Sequence, residues 1–122
     1  MAKKRRRPED GLQRTVADLL ARILRRPTIW SAIESAGRGP IHGAILKGKG
    51  VKPGWSDILV MHPSTHRTIV LGLELKVDAS QSKPQKQFED DLMAVNGYYE
   101  ICRSIDDVLY ALKIAGIPSY GR

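Results

Sequence analysis

Asp57, Glu74 and Lys76 are the side chains in this sequence whose types and spacing can support a reaction. In an extended chain successive side chains point to opposite sides, so in the stretch from Val70 to Lys76 the residues Val70, Gly72, Glu74 and Lys76 share one face. Leu71, Leu73 and Leu75 share the other. An acid and a base therefore project together. The stretch is apolar on both faces, which implies burial, and an ionised glutamate taken into a core without a partner would cost several kcal/mol. Lys76 can supply the balancing cation, and two readings of the segment follow: a structural Glu-Lys pair at the wetter end of a strand, or a reactive pair. Asp57 favours the second, because it heads the preceding apolar run and lies near Glu74 if the two runs pair as a hairpin. Converging carboxylates repel unless a divalent cation sits between them, and hard cations such as Mg²⁺ and Mn²⁺ favour oxygen ligands. Such a site stabilises the charge that develops on a phosphate under attack and favours ionisation of the attacking water, which a nearby lysine can orient or activate. The chemistry implied is phosphodiester hydrolysis.

The elements that must position these groups are legible in the pattern of apolar residues. Residues 56–61 and 68–77 are β-branched and apolar and predict two central strands, joined by a hairpin turn over 62–67. Ser82 and Pro84 open a helix with Phe88, Leu92 and Val95 on its apolar face, and Asn96-Gly97 stops it. Residues 98–103 predict a further strand. Ser104 caps a last helix, with Asp106 and Asp107 at its positive end, Ile105, Val108, Leu109 and Leu112 toward the core, and Gly116 and Pro118 closing it. Upstream, Leu12, Val16, Leu19, Leu20, Ile23 and Leu24 recur at helical spacing over residues 9–26, where Pro27 ends the pattern. Residues 28–36 predict a short strand, and the glycine-rich, lysine-rich stretch 37–54 a flexible basic loop that cannot pack a core. The expected order is α-β-β-β-α-β-α, an α/β domain over residues 9–122 with a mixed central sheet flanked by helices. Residues 1–8 form a basic arm expected to be disordered, because the run Lys3 to Arg7 repels itself and has nothing to bury.

Composition narrows the class of partner. With 122 residues the chain has room for one modest core, and no apolar run approaches the ~20 residues that a membrane-spanning helix requires. The arm lacks the apolar stretch of a secretory signal, so a cytoplasmic location is expected. Cys102, the one cysteine, cannot form an internal disulfide and is expected to be a small buried hydrophobe. A net charge of +7 makes a polyanion the natural partner, since lysines and arginines that displace counterions gain affinity without reading sequence.

A longer string carries a family resemblance: Gly50-Val51, Gly54, Asp57-Ile58-Leu59-Val60, Leu73-Glu74-Leu75-Lys76, Ser82, Pro84-Gln85, Phe88, Gly97 and Ile101-Cys102-Arg103-Ser104 before a helix. It resembles a stand-alone virus-type replication-repair nuclease (VRR-NUC) domain of the PD-(D/E)xK superfamily, over nearly the whole chain after Arg7. The resemblance implies a PD-(D/E)xK nuclease-like core and a site for Mg²⁺ or Mn²⁺ made by Asp57, Glu74 and the backbone carbonyl of Leu75, with Lys76 as the catalytic lysine. Glu9 matches the family's acidic residue on the first helix, and Gln85 its glutamine after E-x-K. Their bland alternatives are an acid favoured at a helix amino terminus and a capping box with Ser82. Ser56 stands where a proline often precedes the acid, a position that ligates nothing. The small stand-alone members imply a homodimer that resolves Holliday junctions.

The expected function is therefore a metal-dependent endonuclease of branched or structured DNA. A basic DNA-binding protein without catalysis and a restriction-type duplex endonuclease are the alternatives. Lys47, Lys49 and Lys52, with His42, are the expected DNA contacts in the basic stretch, against the alternative of a merely solvated loop. His62 and His66 flank a turn containing Pro63 and are not taken as a zinc pair. Deleting residues 1–7 should weaken DNA binding and flatten its salt dependence without touching the chemistry, because it removes phosphate-neutralising charge. Binding titrations over a range of salt concentrations check this, and an unchanged slope would refute it.

Overall fold

The sheet is built around the two runs that carry the acidic residues. In the computed structural model, which describes residues 8–33 and 40–121, α1 (Pro8–Ile23) leads to β1 (Ile29–Ala32), α2 (Pro40–Gly48), β2 (Ile58–Pro63) and β3 (Thr68–Leu75). Next come α3 (Lys83–Ala94), β4 (Tyr98–Cys102) and α4 (Ile105–Ala115). The four strands lie in the order β1-β2-β3-β4. The β1–β2 and β2–β3 pairs are antiparallel and β3–β4 is parallel. A parallel pair cannot be joined by a tight turn, and α3 supplies the crossover. The protein is thus a mixed α/β domain with a four-stranded mixed sheet flanked by helices.

Alternation on β3 decides where the layers go. Leu71, Leu73 and Leu75 are buried together with Ile58, Val60 and Cys102 against Val16, Leu19, Leu20 and Ile23 of α1 and Val108, Ala111 and Leu112 of α4. The opposite face carries Gly72 and Glu74 and receives α3. A Cβ at Gly72 would stand 2.8 Å from Ser56 Oγ and 3.0 Å from Leu92 Cδ2, so the bare backbone lets α3 settle onto this face. Phe88 and Leu92 are the buried residues of α3; Val95, expected beside them, is exposed because the helix has already ended at Ala94. Asn96, with φ 67°, then turns the chain toward β4.

Several boundaries differ from the sequence expectation. The stretch 37–54 is not a loop throughout: residues 40–48 form α2, and Leu46 on it is buried. Its glycines concealed a short apolar helical segment, Ile41, Ala44, Ile45 and Leu46, and positions 37–39 lie outside the described residues. The order therefore contains an additional helix between the first two strands. The first strand ends at Ala32, with 34–36 outside the described residues, and the first helix ends at Ile23, three residues before Arg26. β2 runs on through His62 to Pro63, leaving residues 64–67 for the turn. β3 ends at Leu75, although the Lys76 N–H still donates to Cys102 O at 3.1 Å. The expectation of a disordered arm over residues 1–8 lies outside the described residues except at Pro8, which begins α1. Among the described residues no helix is long and apolar enough to cross a membrane.

Gly54 locks the segment leading into β2 onto the start of α3. Its φ is +84°, and a Cβ there would collide with the backbone carbonyl of Pro84. Gly54→Ala is therefore expected to destabilise the fold by about 2 kcal/mol or more, since both the left-handed backbone and the close approach exclude a side chain. A denaturant melt measures this, and a midpoint equal to wild type would contradict it.

Candidate functional site

The β2–β3 register sets Ile58 against Leu73, and one step further along the same ladder Asp57 falls opposite Glu74. The two acids therefore meet at the ends of adjacent central strands, on the face covered by α3. Asp57 holds its place through backbone and side chain alike. Its carbonyl accepts the Ile33 N–H at 2.8 Å, and its Oδ2 accepts the Leu75 N–H at 2.7 Å. That second bond takes over from the β2 backbone beyond the end of the strand, and a carboxylate acceptor makes it short and strong.

Glu74 is 2% exposed, and three neighbours contact its carboxyl group. Gln85 Nε2 donates to Oε2 at 3.2 Å, the Tyr99 hydroxyl donates to Oε1 at 3.4 Å, and a side-chain hydrogen bond joins Glu74 to Asp57. Burial, followed by the hydrogen bond and the negative charge of Asp57, pushes the Glu74 carboxyl up to about 9, against the lowering effects of Lys76 and Tyr99. Glu74 therefore favours its protonated form at neutral pH, because burial and the adjacent Asp57 both penalise a negative charge there. Lys76 follows Glu74 by two residues and acts on it as a nearby positive charge.

Gln85 forms the capping box with Ser82 and also lies beside Glu74. Its Oε1 accepts the Ser82 N–H at 2.8 Å while its own N–H donates to Ser82 Oγ at 3.3 Å, completing the capping box. Because Oε1 is committed to the cap, the amide nitrogen must face Glu74. Burial raises the Tyr99 hydroxyl well above its usual range, which keeps it a donor, and Gln81 Nε2 donates to it at 3.2 Å. Tyr99 and Gln81 were not expected at the site. Tyr99 reaches Glu74 because the parallel register pairs it with Gly72, and no local pattern announces a parallel pairing. No buried side-chain polar atom among the described residues is left unsatisfied.

The other expected residues lie elsewhere. Glu9 is half-buried at the start of α1. Among the described residues no group of three or more His, Cys, Asp or Glu is placed to hold a metal ion, so Glu9 does not join Asp57 and Glu74 in one. His42 is half-buried on α2, whereas Lys47, Lys49 and Lys52 are exposed on that helix and just beyond it. His62 Nδ1 lies 2.7 Å from the hydroxyl of buried Thr28, a structural contact. Cys102 is fully buried and its thiol is pushed up to about 12 by burial, so it is inert packing. Comparison with models of known families, with curated proteins and with solved structures finds no match.

The raised Glu74 carboxyl links stability to pH. A folded-state pKa of about 9 against an ordinary 4.5 means that the native protein holds this proton more tightly than the unfolded chain. The associated stability is complete below the unfolded value and is lost as pH rises through the folded one. Glu74→Gln, which keeps an acceptor for Gln85 and a donor for Asp57 but cannot ionise, should therefore gain on wild type as pH rises from 5 to 9. Thermal melts across that window test it, and a Tm difference that stays constant with pH would contradict it.

Proposed function

We propose that this protein is a divalent-metal-dependent endonuclease of branched or structured DNA, of the virus-type replication-repair nuclease kind, acting as a homodimer. The observation that carries the reading is the meeting of Asp57 and Glu74 across the β2–β3 ladder, with Lys76 two residues beyond. The donor set fits a hard cation, being oxygen alone. Within a strand the N–H and C=O of one residue project to the same edge. Leu75, whose N–H meets Asp57 Oδ2, therefore turns its carbonyl toward the same side as the acids. Asp57, Glu74 and the Leu75 carbonyl would hold Mg²⁺ or Mn²⁺, which supplies positive charge at the scissile phosphate and favours ionisation of the attacking water. Glu74 would release its proton to become a ligand, and Lys76, near enough to act on Glu74 as a positive charge, would orient the water and offset negative charge on the phosphate. Gln85 fixes the rotation of the Glu74 carboxyl group, because its own orientation is set by the cap.

A second reading, a basic DNA-binding protein whose acidic pair is structural, draws on one observation: Glu74 completes its hydrogen bonds through Asp57, Gln85 and Tyr99. One experiment divides the two. Labelled four-way junction, flap, single-stranded and linear duplex DNA are incubated with the protein in Mg²⁺, Mn²⁺ or EDTA, beside Lys76→Ala. Endonuclease chemistry predicts cleavage that EDTA abolishes and that Lys76→Ala reduces by at least about a hundredfold. Binding without cleavage favours the second reading. Cleavage indifferent to EDTA, or undiminished in Lys76→Ala, overturns the mechanism.

A further inference from the structure

Trp55 has no part in the chemistry above, yet it occupies a conspicuous place beside it. It is 46% exposed, although an indole gains as much from burial as any side chain. One face of the ring is covered by Phe88, at a centroid distance of 4.8 Å and an interplanar angle of 34°. Phe88 in turn meets Tyr99 edge-on at 6.2 Å, and Tyr99 donates to Glu74. An aromatic row thus runs from the acidic pair to the surface, and Trp55 is its outer end.

The position of Trp55 is held from both sides. Gly54 is pressed against the backbone of Pro84, and Ser56 is fully buried with its hydroxyl donating to Ile58 O at 3.1 Å. Asp57 follows two residues later, so its Cα lies no more than about 7 Å from that of Trp55. That is comparable to the spacing of successive phosphates along a nucleic-acid strand. Lys52 before the turn and Lys83 at the start of α3 are exposed, in a chain of net charge +7. The surroundings therefore suit a polyanion rather than a second apolar surface.

We propose that the open face of Trp55 is a stacking platform for one unpaired base of DNA, adjacent to the phosphate engaged at Asp57 and Glu74. This inference rests on the nuclease reading and narrows its substrate. A paired base inside a duplex already has both faces covered and must leave the helix to reach an indole, at a cost in unstacking. A base in a single-stranded segment, or at a branch point, bears no such cost. Trp55 therefore favours DNA that presents an unpaired nucleotide at the cleavage position, and the preference arises without any base-edge contact, since every base offers a π face.

Binding of a fluorescently labelled single-stranded oligonucleotide and of the matching duplex is measured in EDTA, where cleavage plays no part, for wild type, Trp55→Ala and Trp55→Phe, each checked for folding by circular dichroism. Trp55→Ala should weaken single-strand binding by about tenfold or more and leave duplex binding within about twofold, and Trp55→Phe should recover most of the loss. A 2-aminopurine in the single strand should be quenched by wild type and not by Trp55→Ala. Equal losses on single strand and duplex, no loss on either, or quenching that persists in Trp55→Ala would overturn the platform. Cleavage in Mn²⁺ is scored separately with wild type. Failure to cut any DNA there would remove the reading beneath the proposal, whereas cutting alongside an unaffected Trp55→Ala would remove the platform alone.

Discussion

A carboxyl group buried to 2% exposure at the end of a central strand constrains everything around it. Ionised and alone, Glu74 would be untenable there. The fold resolves this locally: the carboxyl keeps its proton, hydrogen-bonds to Asp57, and receives N–H and O–H donors from Gln85 and Tyr99. Each partner comes from a different element, namely the segment before β2, the first turn of α3 and the start of β4. Gathering them requires the sheet order to be right and α3 to lie on that face, so satisfaction of one buried group and correct topology are the same condition.

Gln85 shows how closely the start of α3 is tied to the acids. One amide completes the capping box through its oxygen and holds Glu74 through its nitrogen, so the helix cannot shift by a residue without uncoupling from β3. The Gly54 contact with the Pro84 backbone fixes the same turn from the other side. Asp57 and Glu74 are consequently held by regular elements and by the closure of one helix terminus, which suits a site whose groups must stay in mutual register.

Much of this was legible in the residues. Alternation along Val70 to Lys76 placed Glu74 opposite the leucines, as the split between the α1/α4 core and the α3 face bears out, and hairpin pairing placed Asp57 beside it. Ser82, Ser104 and Gly116 act as the caps their types imply. What escaped was either glycine-rich or non-local. Gly43 and Gly48 made residues 40–48 resemble a loop, yet a stretch with Ile41, Ala44, Ile45 and Leu46 can still close helical hydrogen bonds and bury Leu46. Tyr99 sits 25 positions from Glu74 in the chain, and only the parallel β3–β4 pairing joins them. Local periodicity reports which face a residue occupies; it carries no information about which strand lies next to it.

The proton on Glu74 also bears on how such a site survives in a folded protein. Two ionised carboxylates on adjacent strand ends would repel across the ladder that α1, α4 and the sheet depend on. A proton on Glu74 removes that repulsion while leaving the oxygens in place. On the proposed reading the proton and the cation are alternative occupants of one charge deficit: the first preserves the fold, and exchange for the second is what confers chemistry. The elevation of the Glu74 carboxyl to about 9 then expresses the stability forgone when these acids are set together in a dry place. It follows from the same burial that would strengthen an electrostatic interaction with a phosphate.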